Sequence, residues 1–321
     1  MLQDVAPVHV SNDVDLQASL LTGWDQHYTQ VGAGAFAGSV RRVRGGAVSL
    51  FDEAMNRQVY QSGGLPRDRL GFGIAVRGAG ASHLCGEPAP PGHLLVFSGA
   101  SGFEFLSPRD FRFLGVEVEL GGVGDPVLAG LLRRLDATLV ARGRSIRLKA
   151  AGAEMLRRSL AAGLARDAAV RDAPGHDRQI VGLVLDCLAD DAPGPVATQR
   201  HWRIVSRMRD LVRDSPLCPR TVAEVAVCLG VSRRTLQSAC RDMVGISPVR
   251  YLRALRLCEV RRAMPRAASV TEVAMQYGFW HLGYFARDYR EMFGETPSQT
   301  LRRAGTPPPG AQSSASTPRL A

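Results

Sequence analysis

Two stretches decide the fold: TVAEVAVCLGVSRRTLQSACRDMVGISP, from Thr221 to Pro248, and SVTEVAMQYGFWHLGYFARDYREMFGETP, from Ser269 to Pro297. Overlaid at an offset of 48 residues, they share Ser or Thr, Val, one residue, Glu, Val, Ala, three residues and Gly. A second apolar-periodic run then closes on Gly245 or Gly294. A repeat of that length, present twice, suits a paired module and falls short of a solenoid array.

Each copy has a physical reading. Thr221 and Glu224, and again Thr271 and Glu272, provide the side-chain acceptor and early negative charge that helix starts favour. Val222, Val225, Ala226 and Leu229 recur at helical spacing, so one face is buried. Gly230 suits a left-handed helix end, and Val231 plugs the turn. Ser232 is a good cap for the next helix, whose buried positions are Leu236, Ala239, Cys240 and Met243. The small Ala226 allows the two helices to cross closely. The pattern predicts a helix-turn-helix with its second helix free to enter a major groove. One such match also describes an ordinary helical hairpin. Two at fixed spacing, each followed by Pro three residues after its closing Gly, point to DNA.

The charge is placed accordingly. Of a net +10, Arg200 to Arg303 carries all: 19 Arg against 9 Asp and Glu, while the rest holds 21 basic and 21 acidic residues. That is the electrostatic footprint of a nucleic-acid-binding domain beside a neutral one. Lys149 is the only lysine, so the excess of Arg is a feature of the whole composition. Six cysteines, Cys85, Cys187, Cys218, Cys228, Cys240 and Cys258, form no CxxC pair and are expected to be buried thiols. No apolar run approaches a membrane span, and the N-terminus lacks a leader pattern, so a cytoplasmic protein is expected.

Residues 1 to 30 are poorly periodic. From Ala35 to Val118 short alternating runs are broken by Gly and Pro, with candidate strands at 36–44, 47–52, 58–61, 70–76, 81–85, 93–97, 103–106 and 112–119. That spacing predicts a sandwich or jelly-roll barrel, either filled or holding one small ligand. His83 and His93 are expected on neighbouring strands, but HLCGEPAPPGHLLVF offers no metal-ligand set, so no metal is assigned. No nucleophile elbow, P-loop or paired carboxylates stand out, and Gly32 to Gly38 is poorly placed for a phosphate loop. No cofactor and no catalytic residue are assigned. Helical spacing follows at 126–141, 149–165 and 177–189, with Met155, Leu156, Leu160 and Leu164 forming one stripe; such helices can pack on the barrel or against a second subunit, and an apolar stripe left exposed favours a dimer contact. Residues 189–199 read as a linker and the Pro- and Ser-rich 304–321 as a disordered tail.

The region from His201 to Arg303 closely resembles the DNA-binding domain of the arabinose-regulator (AraC/XylS) family of bacterial transcription factors. AEVAVCLGVSRRTLQ, GISPVRYLRALRL and EVAMQYGFWHLGYFARDYREMFGETPSQTLR carry the likeness. Within that family, GWDQHYTQ (23–30) and GFWHLGYFARDYR (278–290) are similar to the ethanolamine-utilisation regulator branch. The resemblance implies seven helices in two subdomains, joined by a long helix from Val249 to about Met264 that holds two recognition helices one DNA turn apart, roughly 34 Å.

Mapped by motif, the first recognition helix runs from Ser232 to Met243, with Arg233, Arg234, Gln237 and Ser238 facing the groove and Arg241 near phosphates. Arg234 suits guanine and Gln237 adenine. The second runs from about His281 to Met292 and exposes His281, Leu282, Gly283, Tyr284, Ala286 and Arg287 over a core of Phe285, Tyr289 and Phe293. Arg287 reads equally as a structural or phosphate-pairing side chain. The apolar and small residues of this helix predict shape readout more than base code.

The expected protein is therefore α+β. It has an N-terminal β-rich, cupin-like or jelly-roll effector domain with accessory helices (1–190) and an all-α domain of two helix-turn-helix subdomains (200–303). The expected function is that of a ligand-responsive transcriptional activator. Its expected partners are double-stranded DNA, a small-molecule effector with unassigned pocket residues, RNA polymerase and a second copy of the chain. The alternatives are a metal-dependent cupin-type enzyme fused to a DNA-binding domain, and a regulator controlled by protein partners alone.

Overall fold

The computed structural model describes residues 6–80, 82–142, 144–165, 175–189, 199–214 and 221–304. Residues 190–198 of the expected linker, residues 305–321 of the expected tail and Cys218 therefore lie outside the described residues, while Ala189, Gln199 and Ala304 are helix ends. The chain is α+β, with β-rich sheets first and helices last.

The N-terminal part opens with β1 (Val8–Ser11), α1 (Val14–Leu20) and β2 (Asp25–Gln30), all within the stretch that reads as poorly periodic. It continues with β3 (Gly38–Gly45), β4 (Val48–Met55), β5 (Val59–Gly64), β6 (Arg69–Ala79), β7 (His83–Leu84), β8 (Glu87–Pro88), β9 (His93–Ser98), β10 (Phe103–Ser107) and β11 (Arg109–Glu119). Next come α2 (Pro126–Arg142), β12 (Ser145–Arg147), α3 (Ala150–Ala165) and α4 (His176–Ala189). Two antiparallel sheets form, in the orders β1-β3-β4-β11-β6-β9-β12 and β2-β5-β10-β7-β8. His83 and His93 thus lie in different sheets, contrary to the expected neighbouring strands, because the chain crosses between sheets after β8.

Strand alternation distributes the core into layers. Between the sheets lie Trp24, Phe51, Phe97, Phe103, Phe105, Phe111 and Phe113, with Trp24 edge-on to Phe51, Phe97 and Phe103 at 5.6–5.7 Å. Gly73 and Gly115 make room for this packing: a Cβ there would sit 1.8 Å from the Phe113 ring and 2.0 Å from the Phe51 ring. The space that could have held a ligand is filled with aromatic rings.

On the other face of the seven-stranded sheet, Leu50, Phe72, Val116 and Val118 pack on Leu132, Leu156, Leu160, Val181 and Val184 of α2–α4. Met155 departs from the expected stripe at 45% exposure. The outer face of the five-stranded sheet is also covered. Val31, Tyr60 and Leu106 join one core with Trp202, Val205, Met208, Leu236 and Tyr251 of the C-terminal helices. The β-rich part and the first helix-turn-helix are therefore packed into a shared core.

The C-terminal part is α5 (Gln199–Asp214), α6 (Val222–Leu229), α7 (Arg233–Val244), α8 (Pro248–Ala263), α9 (Val270–Gln276), α10 (Leu282–Phe293) and α11 (Pro297–Ala304), seven α-helices among the described residues. A single 3-10 turn, Met264–Arg266, ends α8. A second, separate core of Leu257, Cys258, Val260, Val273, Phe285, Tyr289 and Phe293 holds the second unit.

Candidate nucleic-acid interface

Local sequence sets the geometry of each helix pair. Thr221 Oγ1 accepts the Glu224 amide to start α6, and Gly230 ends it at φ 65° with its N–H bonded to Ala226 and Val227 carbonyls. Ser232 caps α7 through the Thr235 amide at 3.0 Å, and Gly245 closes it at φ 77°. In the second copy the cap is Ser269, which accepts the Glu272 amide at 3.1 Å. This corrects the reading of Thr271, which lies inside α9. The second recognition helix begins at Leu282 behind His281, which makes no side-chain cap bond.

The buried side of each recognition helix matches the apolar positions. Leu236, Ala239, Cys240 and Met243 are buried in α7, as are Phe285, Tyr289 and Phe293 in α10. The opposite side is open. Arg233, Arg234, Gln237 and Arg241 are exposed and Ser238 is half-buried; His281, Leu282, Gly283, Tyr284, Ala286 and Arg287 are exposed. Tyr284 reaches 61% exposure, with Arg287 stacked 5.1 Å from its ring and His281 edge-on at 6.3 Å. Arg287 also lies 3.7 Å from Asp288, so this guanidinium is partly spoken for within its own helix. Trp280, exposed at 55%, stands just before α10 and extends the aromatic surface beyond the residues the motif singles out.

A family profile described as "Helix-turn-helix domain" matches residues 225–303, the two helix pairs and the helix between them. The C-terminal region is a helix-turn-helix domain. The curated relatives agree with that assignment. The chain is 43% identical over 88 residues to the "Probable thc operon regulatory protein" of Rhodococcus erythropolis, covering 26% of this chain and 26% of that protein. It is 40% identical over 105 residues to "XylDLEGF operon transcriptional activator 3" of Pseudomonas putida, covering 32% of this chain and 30% of that protein. The match spans under a third of these relatives' length. The AraC-like transcriptional activator CuxR is a looser structural likeness: 15% identical, TM-score 0.44, with 80% of this chain and 96% of that chain covered.

The basic excess of this helix-turn-helix domain is narrower as a free surface than its charge count implies. Arg209 pairs with Glu104 at 3.0 Å, Arg261 with Asp13 at 2.8 Å and Arg262 with Asp15 at 3.0 Å. All three carboxylates belong to the β-rich part. Arg253 lies 2.9 Å from Asp288 and Arg303 lies 2.8 Å from Glu295, both inside the domain. Sequence alone gives no signal for the partners of Arg209, Arg261 and Arg262, because each is remote in the chain. The cysteines need correction as well: Cys187, Cys240 and Cys258 are buried, but Cys85 is half-buried and Cys228 is exposed, the latter on the face of α6 turned away from the core.

The β-rich part grips the domain at two places. At α5, Trp202 stacks on Tyr60 with centroids 5.4 Å apart, Ser206 donates to Glu104 at 2.6 Å, and the Trp202 indole N–H also donates to Glu104. The Arg209 guanidinium lies 4.8 Å over the Tyr60 ring. At α8 and α10 the contacts run through Asp13, Asp15, Tyr28, Gln30 and Gly34.

Proposed function

We propose that this protein is a sequence-specific transcriptional regulator that places α7 and α10 in two successive major grooves. One observation carries the reading: both recognition helices bury their apolar sides and leave open the side bearing Arg233, Arg234, Gln237, Tyr284 and Arg287. The β-rich part packs against other surfaces of the domain, so the groove-facing sides are unobstructed. Arg234 and Gln237 have the donor and acceptor geometry for guanine and adenine. Arg241, exposed at the end of α7, suits a phosphate. The second helix contributes an aromatic and apolar surface suited to thymine methyls and groove shape.

The regulator responds to a small molecule in this proposal. Support comes from a cleft of about 660 Å³ between the two parts, lined among others by Asp25, His27, Glu104, Arg144, Trp202 and Arg209. A molecule seated there would touch both the sheet and α5, and so favour one arrangement of the two parts over another. Relatives are named as operon activators, which supports activation, with RNA polymerase and a second copy of the chain as partners. A cytoplasmic location fits a DNA-bound role. Kinship with the ethanolamine-utilisation branch belongs to the same proposal and rests on residues 23–30 and 278–290.

Binding of the purified chain to promoter fragments at moderate salt tests the proposal. A preference of at least about a thousandfold for one promoter over bulk DNA is expected, the lower end of the range of specific regulators. Equal binding to all duplexes would overturn it.

A further inference from the structure

The stretch GWDQHYTQ ends on Gln30, a residue without an obvious task in a β-sandwich, and its surroundings are unusual. Gln30 is 1% exposed. Its side-chain amide nitrogen lies 2.8 Å from the Gly32 carbonyl, 2.7 Å from the Gly34 carbonyl and 2.7 Å from the Met292 carbonyl. Three carbonyls around one atom require that atom to be the N–H donor, since an oxygen there would face three acceptors. Met292 lies in the last turn of α10, where helix carbonyls have no partner inside the helix. Its carbonyl also accepts the Gly34 amide at 3.0 Å.

We propose that Gln30 is a positioning residue for DNA recognition: from the β-rich part it caps the C-terminal end of the second recognition helix and so sets where α10 meets the groove. The proposal rests on the two-groove reading above.

Neighbouring contacts fix the same seam. The Cys258 thiol of α8 donates to the Gln30 carbonyl at 3.5 Å, and Arg262 donates to the Tyr28 carbonyl. Gly294 follows α10 at φ 74°, and a Cβ on it would lie 2.6 Å from that of Ala35. The loop between β2 and β3 is thus seated directly on the helix end. A helix of 12 residues is a rod of roughly 18 Å. A shift at Met292 is therefore carried along the helix to Arg287 at its middle and Tyr284 in its first turn, where hydrogen bonds tolerate only a few tenths of an ångström. Among the described residues the Gln30 side chain bonds to the end of α10 and not to α7, so the effect is expected at one half-site.

The test uses the full chain, a duplex with both half-sites, and a duplex with the second half-site scrambled. Gln30→Met keeps the length and removes the donor, and Gln30→Glu turns it into an acceptor. Both variants should bind the intact duplex about tenfold more weakly and the scrambled duplex within about twofold of the parent, a difference near 1.4 kcal/mol at 1.4 per decade. Amide hydrogen exchange without DNA should be faster across 288–294 and unchanged across α7. Equal losses on both duplexes, or no loss on either, would overturn the proposal, as would unchanged exchange in α10. If the parent chain itself ignores scrambling of the second half-site, the two-groove reading fails, and the exchange measurement alone decides the capping role.

Discussion

Glu53 offers the most quantitative handle on how the β-rich part holds itself and, through α1, the C-terminal helices. It is 3% exposed, and burial pushes its carboxyl from the usual 4.5 up to about 7, against the opposing help of hydrogen bonds from Gln17 and Tyr28. Those bonds measure 3.0 and 3.1 Å to one oxygen. Because the folded value lies above the unfolded one, the protonated form favours folding. The contribution is fully present below pH 4.5 and is lost as the pH rises towards 7. At 1.36 kcal/mol per tenfold, the swing is about 3 kcal/mol. Glu53→Gln preserves a carbonyl for Gln17 and Tyr28 and removes the ionisation. The variant should match the parent near pH 5 and exceed it by up to about 3 kcal/mol at pH 8. Denaturant midpoints of both proteins at pH 5, 6, 7 and 8 measure this, and other titrating groups cancel in the difference. A difference that stays constant with pH, or grows towards pH 5, would refute the reasoning.

Other substitutions probe the remaining contacts. Glu104→Ala strips Trp202, Ser206 and the 9% exposed Arg209 side chain of a shared acceptor. Because Arg209 keeps Asp210 at 2.6 Å, the loss should be about 1–3 kcal/mol, read as a lowered midpoint that Glu104→Gln partly restores. Arg234→Ala should lower affinity by about 1–3 kcal/mol and relax preference at one base pair, measured by competition with singly substituted duplexes; a uniform loss on all sequences would assign it to a phosphate. Gly245→Ala forces a side chain into the left-handed conformation at φ 77° and should cost about 1–2 kcal/mol of stability in thermal unfolding.

What could be read from sequence was what local chemistry determines. Ser232, Gly230 and Gly245 act within a turn or two of their own helices, and the exposed side of α7 follows from where Leu236, Ala239 and Cys240 must go. The strands β3–β7 and β9–β11 were legible for the same reason, since alternation such as Leu50 and Phe51 assigns one residue to each face, whereas the two- and three-residue β8 and β12 were too short to show a period. The segment β1–α1–β2 was not. Its helix has seven residues, and β2 buries Thr29 and Gln30, polar side chains whose burial makes sense only once Met292 is beside them. The same remoteness hid the partners of Arg209, Arg261 and Arg262. A basic residue on a helix of this domain reads as a DNA contact until a carboxylate some 100 to 250 positions earlier is folded against it.

The central claim is that two recognition helices on one domain read two successive grooves. Selection of bound duplexes from a random pool with the full chain tests it most directly. The account predicts a recovered site with two conserved blocks about 10 to 10.5 base pairs apart, the stronger block matching α7 and weakening on Arg234→Ala. Recovery of a single block, or of no preferred sequence, would contradict it.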